Sequence, residues 1–88
     1  MPSIASFYGI VIYMYFEPRA AHRLPHFHAY YGDYTASVSI DPPNLLEGAL
    51  PRRQLRLVLA WAELHQVELM ENWNRLQDGM PAQKIAGL

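Results

Sequence analysis

Three observations predict an α+β domain. The first half of the chain alternates with period two, residues 42–43 are a Pro-Pro break, and a long stretch of helical periodicity follows Pro51. The predicted architecture is a small antiparallel sheet of three to four strands packed by one long C-terminal helix, with an extended C-terminal tail. At 88 residues the chain is expected to form one domain, 1–88.

GIVIYMYF (9–16) is rich in β-branched and aromatic residues, which suit a pleated surface, and reads as the first strand. EPRAAHRLP (17–25) carries a proline near each end and reads as a loop. HFHAYY (26–31) is the second strand, and Gly32-Asp33 closes it as a tight turn. YTASVSID (34–41) alternates strictly and makes the third strand. PPNLLEG (42–48) breaks the sheet and leaves room for a short fourth strand at Leu45 and Leu46. Proline suits the first turn of a helix, so the helix begins around Pro51. It runs to about Asp78, where Gly79 and Pro81 are stop signals. In the tail AQKIAGL (82–88), Ile85 and Leu88 are the apolar anchors.

Alternation sorts the strand residues into two faces. Ile12, Met14, Phe27, Ala29, Val38 and Ile40 are assigned to the side under the helix. The reverse face then gathers Tyr13, Tyr15, His26, His28, Tyr30, Ser37 and Ser39, an unusual collection of imidazoles, phenols and hydroxyls. On the helix, Leu55, Val58, Leu59, Ala62, Leu69, Met70, Trp73 and Leu76 form the stripe that covers the sheet. Leu57, Trp61 and Leu64 are read as a second cluster nearly opposite. Either the tail or a partner chain has to bury it, and the partner is the expectation.

Composition narrows the function classes. Charged residues make up only 17%, against a usual share of roughly 25%, which favours apolar surface hidden against a partner or a second copy. A net charge of -1 gives no general footprint for nucleic acid, so any RNA contact has to come from local arginines. The absence of cysteine excludes disulfides, thiol catalysis and thiolate metal sites, and suits a reducing cytoplasm. No basic segment leads into an apolar run at the N-terminus, and no apolar stretch approaches the ~20 residues needed to span a bilayer. A cytoplasmic protein is expected.

The chemistry-bearing feature is LPHFHAYYG (24–32). Residues at i and i+2 of a strand point the same way, so His26 and His28 can meet one ion or one substrate. Three readings stand: a structural or interfacial pair, a catalytic or substrate-binding pair, and a metal site. A metal requires a third ligand, from His22, Asp33 or Glu17. The catalytic reading takes His26, His28 and Tyr30 as acid–base groups. Tyr13, Tyr15, Arg23, Arg52 and Arg53 are its substrate-binding candidates, with Arg19 also in the loop and the two helix-start arginines beside backbone N–H groups that favour phosphate. The bland alternative for these arginines is a solvated surface. WAELH (61–65) is only superficially a metal half-site, because Glu63 and His65 diverge on a helix. There is no Gly-rich phosphate loop, no nucleophile elbow and no H-E-x-x-H, and no cofactor is expected.

FYGIVIYMYF, LPHFHAYYGDY, the segment from LLEGALPRR to MENW and the terminal QKIAGL together resemble the DUF4160 family, small bacterial domains of unknown function. The resemblance rests above all on Pro25, His26, Phe27 and His28, on Leu50-Pro51 with Arg53, on Trp61 and Trp73, and on Lys84-Ile85. Leu24 stands where the family often has a second proline. The resemblance implies one half of a two-gene, toxin–antitoxin-like module that acts with a small partner protein or as an oligomer. It favours Leu57, Trp61, Leu64, Ile85 and Leu88 as the partner interface.

Overall fold

The computed structural model describes residues 2–17 and 24–88. Most of the expected loop, with Arg19, His22 and Arg23, lies outside the described residues.

Five strands form one antiparallel meander in sequence order: β1 Ala5–Phe7, β2 Ile10–Tyr13, β3 His26–Tyr31, β4 Tyr34–Ser39 and β5 Leu45–Gly48. The expected first strand is therefore shorter, and a three-residue strand precedes it. Tyr8 and Gly9 form the two-residue connection, with φ of 50° and 78°. That geometry favours glycine and is reached here at one position by tyrosine. Gly32-Asp33 joins β3 to β4 as expected, with Gly32 at φ 56°. The short strand at Leu45–Gly48 is a full edge strand, paired with β4 across an irregularity at Ser37/Val38.

The register settles the two faces. Phe27 opposes Val38, and Ile12 opposes Ala29, which opposes Ala36. These residues, with Ala5, Phe7, Ile10, Met14 and Ile40, are buried in the core as their alternation requires. On the other face two cross-strand rows appear. One runs Ser6, Val11, Tyr30, Thr35, and the other runs Tyr13, His28, Ser37, Glu47.

Two helices replace the single long one: α1 Arg52–Leu64 and α2 Gln66–Gln77. His65 breaks them apart at φ -116°, ψ 28°. No glycine or proline marks the break, and its surroundings are tertiary. The Gln66 amide donates to the Ile40 carbonyl at 3.0 Å, and the Trp61 and His65 rings lie 5.7 Å apart. His65 pairs with exposed Glu68 at 2.5 Å, a local surface arrangement. Among the described residues no helix is long and apolar enough to cross a membrane.

The expected second helical cluster is divided. Trp61 is fully buried, with its ring 5.2 Å from Phe7 and 5.6 Å from Phe27. It follows Val58 by three residues, which on a helix makes them neighbours on one face rather than opposites. Ile85 is also buried in the chain's own core. The tail does this work: Ile85 N–H donates to the Ile4 carbonyl at 2.8 Å, and the Trp61 indole donates to the Ala86 carbonyl at 2.8 Å. The partner expected over Trp61 and Ile85 thus gives way to the chain's own C-terminus. Leu57 is half-buried, whereas Leu64 and Leu88 are 70% and 45% exposed.

Asn72 is a buried polar residue that periodicity alone does not single out. Its amide donates to the Gln83 carbonyl and accepts from the Gln83 N–H, both at 2.8 Å, so α2 treats the tail like a paired strand. Arg75 and Lys84 add bonds to the Pro81 and Ser3 carbonyls.

Candidate functional site

The stretch after β2 carries Met14, Tyr15, Phe16 and Glu17 past the start of β3. Met14 is buried, while Tyr15 and Glu17 reach the strand that holds both histidines. Period-two geometry gives His26 and His28 a common side, and Glu17 closes on both. Its Oε1 accepts from His28 Nε2 at 2.7 Å and lies 3.0 Å from His26 Nε2.

Each ring is also held on its far side. His26 Nδ1–H donates to the Leu24 carbonyl at 2.8 Å. His28 Nδ1 lies 3.3 Å from the Ser37 hydroxyl, its cross-strand neighbour. The Tyr15 ring stacks on His28 at 4.5 Å, and the Trp73 ring lies 5.4 Å from His26. His26 is 2% exposed, His28 17% and Glu17 31%, so the group is sheltered with access on the Glu17 side.

Burial by itself raises the Glu17 carboxyl, but the hydrogen bonds from His28 and His26 outweigh it and hold the group below the usual glutamate range. The Tyr15 phenol is pushed well above its ordinary range, first by burial and then by its hydroxyl bond to Tyr30 at 2.8 Å. Tyr13 meets Tyr30 edge-on at 5.2 Å. Val11, Tyr13, Tyr15 and Tyr30 line an open depression of about 340 Å³, and His28, Tyr30, Ser37 and Glu47 help line another of about 260 Å³.

Five of the residues singled out from the sequence, His26, His28, Tyr30, Tyr13 and Tyr15, therefore come together on one sheet face. Arg52 and Arg53 are exposed at the start of α1. Of the three candidate third ligands, Glu17 joins the histidines. Asp33 sits in the hairpin turn at the opposite end of β3, and His22, like Arg23, lies outside the described residues. Glu17, His26 and His28 form the one His, Asp and Glu group among the described residues whose ligand atoms all fall within 4.8 Å of one another. The loop sequence between Glu17 and His26 gives no spacing signal for this meeting, because it depends on how the segment after β2 returns along β3.

A family model described as a domain of unknown function, DUF4160, matches residues 9–74, a span that includes Glu17, both histidines and the tyrosines of the face. No curated protein and no solved structure matches the chain.

Proposed function

The chain belongs to the DUF4160 family, and on that footing we propose that it is the binding component of a two-protein module of the toxin–antitoxin kind. One observation carries this reading. Trp61, from α1, packs on the Phe7 and Phe27 side of the sheet, and the reverse face leaves Val11, Tyr13, Tyr30 and Ser37 half-buried. Tyrosine presents an apolar body and a polar tip, the combination that protein interfaces favour. A net charge of -1 argues for a protein partner on this face over a polyphosphate backbone.

The test is co-expression with the product of the adjoining gene. The expected result is growth inhibition by one partner alone, relief by the pair, and a complex that Tyr13→Asp or Tyr30→Asp abolishes without changing the far-UV circular dichroism. A complex that survives both substitutions and is lost in Leu64→Asp moves the partner to the helix side. Absence of both the complex and a growth effect removes the proposal.

A second reading, RNA-directed acid–base chemistry through His26, His28 and Tyr30, has one specific support. His28 bridges Glu17 and Ser37, so an orienting carboxylate and a hydroxyl flank one imidazole. Growth inhibition unchanged in His28→Ala removes this reading and leaves the non-enzymatic module.

A further inference from the structure

We infer that Glu17, His26 and His28 form a binding site for one divalent transition-metal ion of the zinc(II) and iron(II) class, with Glu17 Oε1 and the two Nε2 atoms as its ligands. This inference is independent of the partner reading, since it concerns the sheltered edge of the face and not the open tyrosines.

Donor chemistry is the first argument. Two imidazoles and one carboxylate are a recurrent three-ligand set for catalytic zinc and for non-haem iron, and both leave further positions to water or substrate. The spacing agrees. Ligands about 2.1 Å from one ion stand about 3.0–3.4 Å apart, and the two Glu17 contacts measure 2.7 and 3.0 Å. All three ligand atoms lie within 4.8 Å of one another, a separation that side-chain shifts bring to ligand spacing.

Ring orientation is the second argument, and it separates a ligand set from a chance cluster. The Leu24 carbonyl can only accept, so His26 Nδ1 carries a proton, and Nε2 is the ring nitrogen turned toward Glu17. A metal-ligating histidine is held in this way, with its outer N–H on a backbone carbonyl. At 3.0 Å the His26 Nε2 and the carboxylate oxygen share one position, which a proton holds in the hydrogen bond to Glu17 and a metal ion takes by displacing it. His28 has the Ser37 hydroxyl at its outer nitrogen, and a hydroxyl can accept from Nδ1–H once an ion displaces the Nε2 proton that Glu17 accepts.

The walls are the third. Trp73 on His26 and Tyr15 stacked on His28 limit ring rotation and exclude water from two sides, while the partly exposed Glu17 marks the entrance.

The experiment uses the untagged full chain, stripped with a chelator and titrated with zinc(II) by calorimetry and with cobalt(II) by visible absorption. One equivalent is expected to bind, with ligand-field bands for cobalt. Glu17→Gln, His26→Gln and His28→Gln are each expected to weaken zinc binding by at least about 10–100-fold, the range that even outer-sphere changes reach. His65→Gln serves as the control and leaves binding unchanged. If the site variants unfold, imidazole ¹⁵N spectra of the wild-type chain decide instead: zinc must move the Nε2 signals of His26 and His28 and leave those of His65 in place. Sub-stoichiometric binding to the wild type, binding retained by the folded Glu17 and His26 variants, or unmoved His26 and His28 signals overturns the inference.

Discussion

The Trp61 indole N–H donates to the Ala86 carbonyl oxygen at 2.8 Å, across 25 positions of sequence. The neighbouring residue, Ile85, donates its own N–H to Ile4 beside β1. Gly87 lies so close to β1 that a Cβ there would stand 2.9 Å from the Ser6 carbonyl oxygen. The tail is thus tied to a helix and to the first strand at once, and Trp61 is covered from within the chain while Leu64 stays exposed.

Trp61→Phe separates the bond from the packing. Phenylalanine retains an apolar ring against Phe7 and Phe27 but leaves the Ala86 carbonyl without the indole donor. The expected cost is about 1 kcal/mol for the hydrogen bond, plus a smaller loss for the reduced ring. It is read as a lower urea midpoint at unchanged slope. Amide exchange at Ile85 should also accelerate. Wild-type protection at Ile85 would show that the tail stays docked without the indole.

Asn72→Ala removes a donor and an acceptor together. Both Gln83 backbone groups then lose their partner on α2, and the buried site gains no compensating bond. A loss of roughly 1–3 kcal/mol is expected, the range for leaving buried polar groups unmade. Asn72→Leu, which adds apolar volume at the same place, should not recover it. Recovery by leucine would mean that packing, not pairing with Gln83, holds the tail on α2.

The parts of the fold legible in the sequence are those in which local pattern and tertiary environment agree. YTASVS alternates cleanly, and in the middle of β4 Ala36 and Val38 are buried as predicted with Thr35 and Ser37 on the other face, whereas Ser39 is buried at its end. ASF is too short to show alternation, and Tyr8-Gly9 lacks the Asn-Gly or Asp-Gly signal of a two-residue hairpin turn, so β1 was hidden. The break at His65 was equally silent, because Gln66 reaching Ile40 is a tertiary contact and not a local propensity. At the candidate site, the pairing of His26 with His28 followed from spacing alone. The arrival of Glu17 did not, because it rests on tertiary contacts that Tyr15 and Glu17 make with β3.

Gly32 and Gly48 test two different demands for glycine. Gly32, at φ 56°, has open space where a Cβ would go, so Gly32→Ala is expected to cost only the left-handed conformation, about 1–2 kcal/mol. Gly48, at φ 82°, would drive its Cβ into the Thr35 carbonyl oxygen, the same atom that accepts the Ala49 N–H. Gly48→Ala should add an overlap cost of about 1–3 kcal/mol and loosen β5 from β4. Urea unfolding ranks the two variants, and amide exchange at Ala49 locates the damage. Equal costs would show that β5 shifts freely to admit the methyl group.

The hydroxyl bond between Tyr15 and Tyr30 ties the segment that carries Glu17 to the strand that carries the histidines. Each hydroxyl is the other's partner, so Tyr15→Phe and Tyr30→Phe both delete the same interaction. Each single variant is expected to lose about 0.5–1.5 kcal/mol. The double variant should lose clearly less than their sum, because the second deletion removes a hydroxyl already stripped of its partner. Such non-additivity is the signature of direct contact, and four unfolding curves complete the cycle. If the two costs simply add, the phenols act on their surroundings separately. The placement of Glu17 beside His26 and His28 would then rest on the imidazole bonds and the stacking of Tyr15 on His28 alone.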